Sequence, residues 1–86
     1  MDKIIVDVRE PQEYALGHVN GAINLPLSRF SEEIKRLEEL SKDRELILYC
    51  QSGNRSGVAI NILKSLGFTN LVNGINQTMV NSRYVD

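Results

Sequence analysis

The segment Leu46-Ile47-Leu48-Tyr49-Cys50 is the longest unbroken apolar run in the chain. Five residues make a strand and fall far short of the roughly 18 that a membrane-spanning helix requires. A strand with no polar alternation is covered on both faces, the mark of a central place in a parallel sheet. Parallel neighbours must be joined by crossovers, usually helices, and the remaining sequence supplies them. Ile4 to Val8 reads as a second buried strand. Pro11 opens a helix that continues through Gln12 to Leu16, with Gly17 where a left-handed carboxyl-terminal cap belongs. Asn20-Gly21 marks a turn, and Ala22 to Leu25 form a short strand that Pro26 stops. Ser28 or Ser31 caps the next helix, with Phe30, Ile34, Leu37 and Leu40 on its core face. Glu32, Glu33, Glu38 and Glu39 read most simply as the solvated face of that helix.

Beyond the central strand, a glycine-containing loop over Gln51 to Asn54 leads into an amphipathic helix. Val58, Ala59, Ile62, Leu63 and Leu66 line its core face, Gly67 ends it, and Phe68 is placed to pack back on its last turn. Leu71-Val72 suggests a last short strand. Asn73, Asn76, Gln77 and Asn81 dilute the apolar positions that follow, so residues 73–86 are expected to form an irregular tail over the domain. Alternating strands and helices predict an α/β fold, a small, mainly parallel sheet with helices on both faces.

Length and charge narrow the function. Eighty-six residues form one domain, 1–86, because a chain this short buries only roughly 60% of its unfolded surface and cannot divide its core. Ten basic and eleven acidic side chains, interspersed, leave a net charge of -1, so neither nucleic acid nor a membrane is expected as a partner. One cysteine and one histidine supply neither an internal disulfide nor the four ligands of structural zinc. No metal and no cofactor are expected, and the chain is expected to be a monomer. A cytoplasmic location is expected, or a periplasmic one if a leader peptide was removed.

The chemistry concentrates where the central strand ends. Open parallel sheets place their sites at the carboxyl ends of strands, and Cys50 is at that end. Cys50-Gln51-Ser52-Gly53-Asn54-Arg55-Ser56-Gly57 gives a thiol, a small polar loop and then a helix amino terminus, whose free N–H groups and dipole favour thiolate over thiol. Gly53 admits the backbone angles of an anion-binding nest, and Arg55 adds a positive charge beside it. A lone cysteine ending a buried strand is more often a small core hydrophobe. Such a cysteine has no need of glycine, asparagine, arginine and two serines immediately after it, and this context favours a reactive thiol. Asp7 and Arg9 end the first strand on the same edge: Asp7 reads as structural, while Arg9 either pairs with loops or meets an anionic donor. His18 invites a cysteine–histidine protease reading, but it lies in a turn and no oriented third member is evident.

Three blocks carry a family resemblance: Asp7-Val8-Arg9-Glu10-Pro11-Gln12-Glu13-Tyr14, Gly17 to Pro26, and Tyr49-Cys50-Gln51-Ser52-Gly53-Asn54-Arg55-Ser56. Together with Leu66-Gly67-Phe68 and Asn70-Leu71-Val72, they resemble the rhodanese homology domain over about residues 4 to 75, and the short single-domain members most of all. The resemblance implies a rhodanese-like fold and a thiosulfate or persulfide sulfurtransferase. Cys50 would be the sulfur carrier and Gln51, Ser52, Gly53, Asn54 and Arg55 the cradle of the transferred sulfur; by their positions, Ser56 and Arg9 are further candidate substrate contacts. Its partners would be a small sulfur donor and a thiol or cyanide acceptor, a protein thiol included. Two departures stand out. The helix and strand that usually precede the Asp-Val-Arg block are absent, which implies a smaller sheet, and Asn73-Gly74-Ile75-Asn76 replaces the usual Gly-Gly and Trp at the pocket rim. Two other readings remain: a sulfur-binding or regulatory module with little turnover, and a phosphatase or arsenate reductase. Enzymes of the latter kind characteristically place five residues between cysteine and arginine, whereas four separate Cys50 from Arg55.

Overall fold

The computed structural model describes residues 3–85. Four strands, β1 (Ile4–Asp7), β2 (Ile23–Asn24), β3 (Leu46–Cys50) and β4 (Leu71–Asn76), form one sheet in the order β2-β1-β3-β4, with every pairing parallel. The apolar run thus lies inside the sheet, between β1 and β4. Strand alternation sends Leu46, Leu48 and Cys50 to one face and Ile47 and Tyr49 to the other, and all five are buried. The first face packs with Val6, Leu25, Phe30, Leu37, Ala59 and Leu63, and the second with Val19, Ala22 and Val80. Each fully buried leucine contributes about 2 kcal/mol of transfer free energy.

The crossovers are α1 (Pro11–Leu16), a broken helical segment around α2 (Phe30–Glu33), and α3 (Asn54–Ser65). No helix among the described residues is long and apolar enough to cross a membrane. The segment around α2 departs from the uniform helix the sequence suggests. Single 3-10 turns at Leu27–Arg29 and Ile34–Leu37 flank α2, and no serine side chain caps it. Ser28 Oγ instead donates to Glu10 Oε1 at 2.7 Å. Ile34, Leu37 and Leu40 recur every third residue, which suits the three-residue period of a 3-10 turn.

The inward face of α3 is Ser56, Ala59, Ile60 and Leu63, while Val58 is 50% and Leu66 46% exposed. That face is rotated from the expected one because its first buried position holds a serine. Gly67, at φ +97°, terminates the helix, and Phe68 N–H donates to the Leu63 carbonyl, so Phe68 is buried. Gly17 is not a left-handed cap. It has φ +151° and ψ 138°, open to glycine alone, and its carbonyl accepts from Arg9 Nη2 at 2.7 Å.

The expected irregular tail is instead regular structure. β4 runs on to Asn76, and a fourth helix, α4 (Gln77–Tyr84), follows at once. Asn76 caps α4, its Oδ1 accepting from Met79 N–H at 2.8 Å, and Val80 packs fully buried on the second sheet face. In β4, Leu48 pairs with Asn73 and Tyr49 with Ile75, so Gly74 is the extra residue of a bulge. A Cβ on Gly74 would lie 2.5 Å from Val80 Cγ2 and 3.1 Å from Ile47 Cγ2. Space therefore requires glycine there. Asp86 of the expected tail lies outside the described residues.

Candidate active site

β3 ends at Cys50, and the loop after it turns back so that its N–H groups meet the sulfur. Gly53 N–H donates to Cys50 Sγ at 3.1 Å and Ser56 N–H at 3.4 Å. The turn depends on Gly53 at φ +92°, left-handed and immediately before α3. Ser56 is fully buried, its Oγ 3.5 Å from the sulfur. Burial pushes the Cys50 thiol up. With the Ser56 hydroxyl turned to the sulfur, its hydrogen bond and those from the N–H groups of Ser56, Ser52 and Gly53 outweigh it and bring the thiol down to about 7.

Cys50 opens on a cleft of about 600 Å³ lined by Arg9, Glu13, Gln51 and Gly17, with Asn76, Gln77 and Thr78 at the start of α4. Of the residues singled out from sequence, Gln51 and Arg9 share this cleft with the sulfur. Gly53, Ser52 and Ser56 serve the sulfur through backbone N–H groups. Asn54 heads α3 and is exposed. Arg55 stands within electrostatic reach of the thiol, but not as a lone cation. Its Nη1 and Nη2 donate to Glu13 Oε1 and Oε2 at 2.7 and 3.0 Å, a bidentate geometry that carboxylate and guanidinium favour. The Arg55 hydrogen bonds hold Glu13 down to about 2. Glu13 Oε1 also accepts from Glu10 N–H at 2.9 Å, which ties the first turn of α1 to the Cys50 loop.

Arg9 is likewise committed. Its Nε and Nη2 donate to the Asp7 carboxylate, with Nη2 to Oδ2 at 2.7 Å. Asp7 is fully buried and also accepts from Tyr49 Oη at 2.9 Å, while Tyr49 Oη accepts from Val19 N–H at 3.0 Å. Burial, with the Asp7 bond, pushes the Tyr49 phenol up to about 12, so it stays a donor. His18 stacks on Tyr14 at a centroid separation of 3.6 Å, and its Nδ1 lies 2.9 Å from the Tyr14 carbonyl. No group of histidine, cysteine and carboxylate side chains among the described residues could hold a metal ion.

Two residues of the site were not evident from sequence. Glu13 bears a helix-start signal, acidic at the third helical position, but nothing marks a partner 42 residues away. Asn73 lay in the presumed tail, yet its Oδ1 accepts from Ser56 Oγ at 2.7 Å and its Nδ2 donates to the Gly53 carbonyl at 3.0 Å.

Comparison with known proteins gives a consistent family. The rhodanese-like domain matches residues 1–77. The uncharacterized protein YqhL of Bacillus subtilis strain 168 is 42% identical over 69 residues, covering 80% of this chain and 52% of YqhL. Thiosulfate sulfurtransferase PspE of Escherichia coli K12 is 40% identical over 68 residues, covering 79% of this chain and 64% of PspE. The chain therefore matches less than two thirds of the length of either relative. Among solved structures, a rhodanese with anions from E. coli superposes with a TM-score of 0.78 at 34% identity, over 90% of this chain and 89% of that one. A match over nearly the whole chain, with a parallel sheet that ends in a cysteine loop, makes this chain a member of the rhodanese-like domain family.

Proposed function

We propose that the chain is a sulfurtransferase that carries sulfane sulfur as a persulfide on Cys50. The observation that carries this reading is the convergence of N–H donors on Cys50 Sγ at the floor of an open cleft. Cys50 thiolate attacks the outer sulfur of thiosulfate; a new S–S bond forms as the old one breaks, and sulfite leaves with the electron pair. The terminal persulfide sulfur is then attacked by cyanide or a thiolate, and Cys50 leaves as thiolate. Donor and acceptor use the same sulfur in turn, so the kinetics are ping-pong. Donors fixed in advance around a developing negative sulfur act as an oxyanion hole does. No cofactor takes part. The name of PspE, a thiosulfate sulfurtransferase, supports thiosulfate as the donor.

Phosphate chemistry is disfavoured by the same geometry, because the loop donors close on the cysteine sulfur and Arg55 is engaged by Glu13. The test is thiosulfate-to-cyanide transfer by the native protein and by Cys50→Ser, beside aryl phosphate hydrolysis. Transfer by the native protein, its loss in the variant and no phosphatase turnover are expected. Transfer retained by Cys50→Ser, or phosphatase turnover exceeding transfer, would overturn the reading.

A further inference from the structure

The bulge in β4 places a side chain against Ser56, whose hydroxyl lies beside the nucleophile. Ser56 Oγ lies between two groups, Cys50 Sγ at 3.5 Å and Asn73 Oδ1 at 2.7 Å. A hydroxyl has one hydrogen to donate. The Asn73 amide is oriented by independent partners: its Nδ2 faces the Gly53 carbonyl, and its Oδ1 also accepts from Ile75 N–H at 3.0 Å. The atom that meets Ser56 is therefore an acceptor, and the Ser56 proton points to it. Ser56 then offers Cys50 a lone pair. That arrangement suits a thiol, which can donate to it, and opposes a thiolate, which must either face the lone pair or draw the proton off Asn73.

We propose that Asn73 is a positioning residue that sets the ionisation of Cys50 by claiming the single hydroxyl proton of Ser56. The backbone supports the arrangement at a cost. Ile75, a β-branched residue, is held at φ +76° beside Asn73, a left-handed conformation that a β-branched side chain resists. The bulge at Gly74 is what lets β4 accommodate it while keeping Cys50 paired with Asn76. The charged groups around the thiol are Arg55 from α3, Glu13 from α1 and Arg9 after β1. β4 and α4 present only the uncharged Asn76, Gln77 and Thr78 to the cleft. None of these groups is altered in the test, so their field is common to every variant.

The inference rests on Cys50 being the nucleophile proposed above, but its test reads ionisation and not transfer, so either can fail alone. The measurement is the pH profile of iodoacetamide alkylation of Cys50 in the native protein, Asn73→Ala, Asn73→Asp, Ser56→Ala and the two double variants. Asn73→Ala frees the hydroxyl for the thiolate and moves the midpoint down by about one pH unit, the scale of one hydrogen bond to a charged group. Asn73→Asp keeps the acceptor, adds a negative charge and moves the midpoint up. With alanine at position 56 the downward shift disappears and the upward one shrinks. Loss of the Asn73 tether to Gly53 is common to both backgrounds and cancels in the cycle. Should Asn73→Ala fail to fold, the Asn73→Asp pair carries the same comparison. Shifts equal with and without the Ser56 hydroxyl, or no shift at all, would overturn the proposal.

Discussion

Two arginine–carboxylate pairs flank the cleft, and they differ in almost every physical respect. Asp7–Arg9 belongs to the end of β1, with the carboxylate fully buried and every donor around it committed: the Arg9 backbone and guanidinium and the Tyr49 hydroxyl. Glu13–Arg55 bridges α1 and α3, with each side chain about a third exposed. The first pair is frame, joining β1, β3 and the Gly17 turn. The second is adjustable, next to a thiol whose own hydrogen-bond partner is shared with Asn73. Charges of the same kind thus do different work according to burial: a buried pair resists loss of one partner strongly, whereas a half-exposed pair is screened and contributes little to stability.

The largest expected effect follows from breaking the buried pair. Asp7→Ala leaves Arg9 and the Tyr49 hydroxyl without their acceptor and should lower the unfolding free energy by about 3 kcal/mol or more. Glu13→Ala should cost under about 1 kcal/mol. Chemical denaturation of both variants checks the contrast, and equal losses would erase it.

The order should reverse for reactivity. Arg55→Ala leaves the Glu13 charge uncompensated near the thiolate and should raise the midpoint of the Cys50 alkylation profile. Glu13→Gln leaves Arg55 uncompensated and should lower it, each by roughly half a pH unit or less. Shifts of the same sign in both variants would show that the pair acts only as a tether.

The smallest effect is on acid stability. Glu13 ionises more readily in the folded chain, at about 2 against an ordinary 4.5, so the unfolded chain binds more protons in that interval. Its contribution is complete above pH 4.5 and is lost as pH falls toward 2. Glu13→Gln should lack this part of the acid sensitivity, a difference under about 1 kcal/mol in denaturation midpoints taken across that range.

The same contrast explains what sequence made legible. The central strand, the cysteine loop and the helix after it follow from Leu46–Cys50 and Gly53 because their determinants are local: apolar run, strand end, glycine turn. The long-range parts did not follow. Asn73 and Asn76 diluted the apolar pattern and suggested a tail, although one holds Ser56 and the other caps α4. Ser56, polar yet fully buried, hid the phase of the α3 core face. Arg55 read as the thiol's lone counter-charge because Glu13, its partner, is distant in the chain. Polar residues that owe their places to one another across the fold leave no periodic trace.

The central claim is that Cys50 carries the sulfur, and intact mass spectrometry tests it most directly. After incubation with thiosulfate the native protein should gain the mass of one sulfur atom. Cyanide or a small thiol should remove it, and Cys50→Ser should gain nothing. A native protein left unchanged by thiosulfate and by a persulfide donor, or sulfur added equally to Cys50→Ser, would contradict the account.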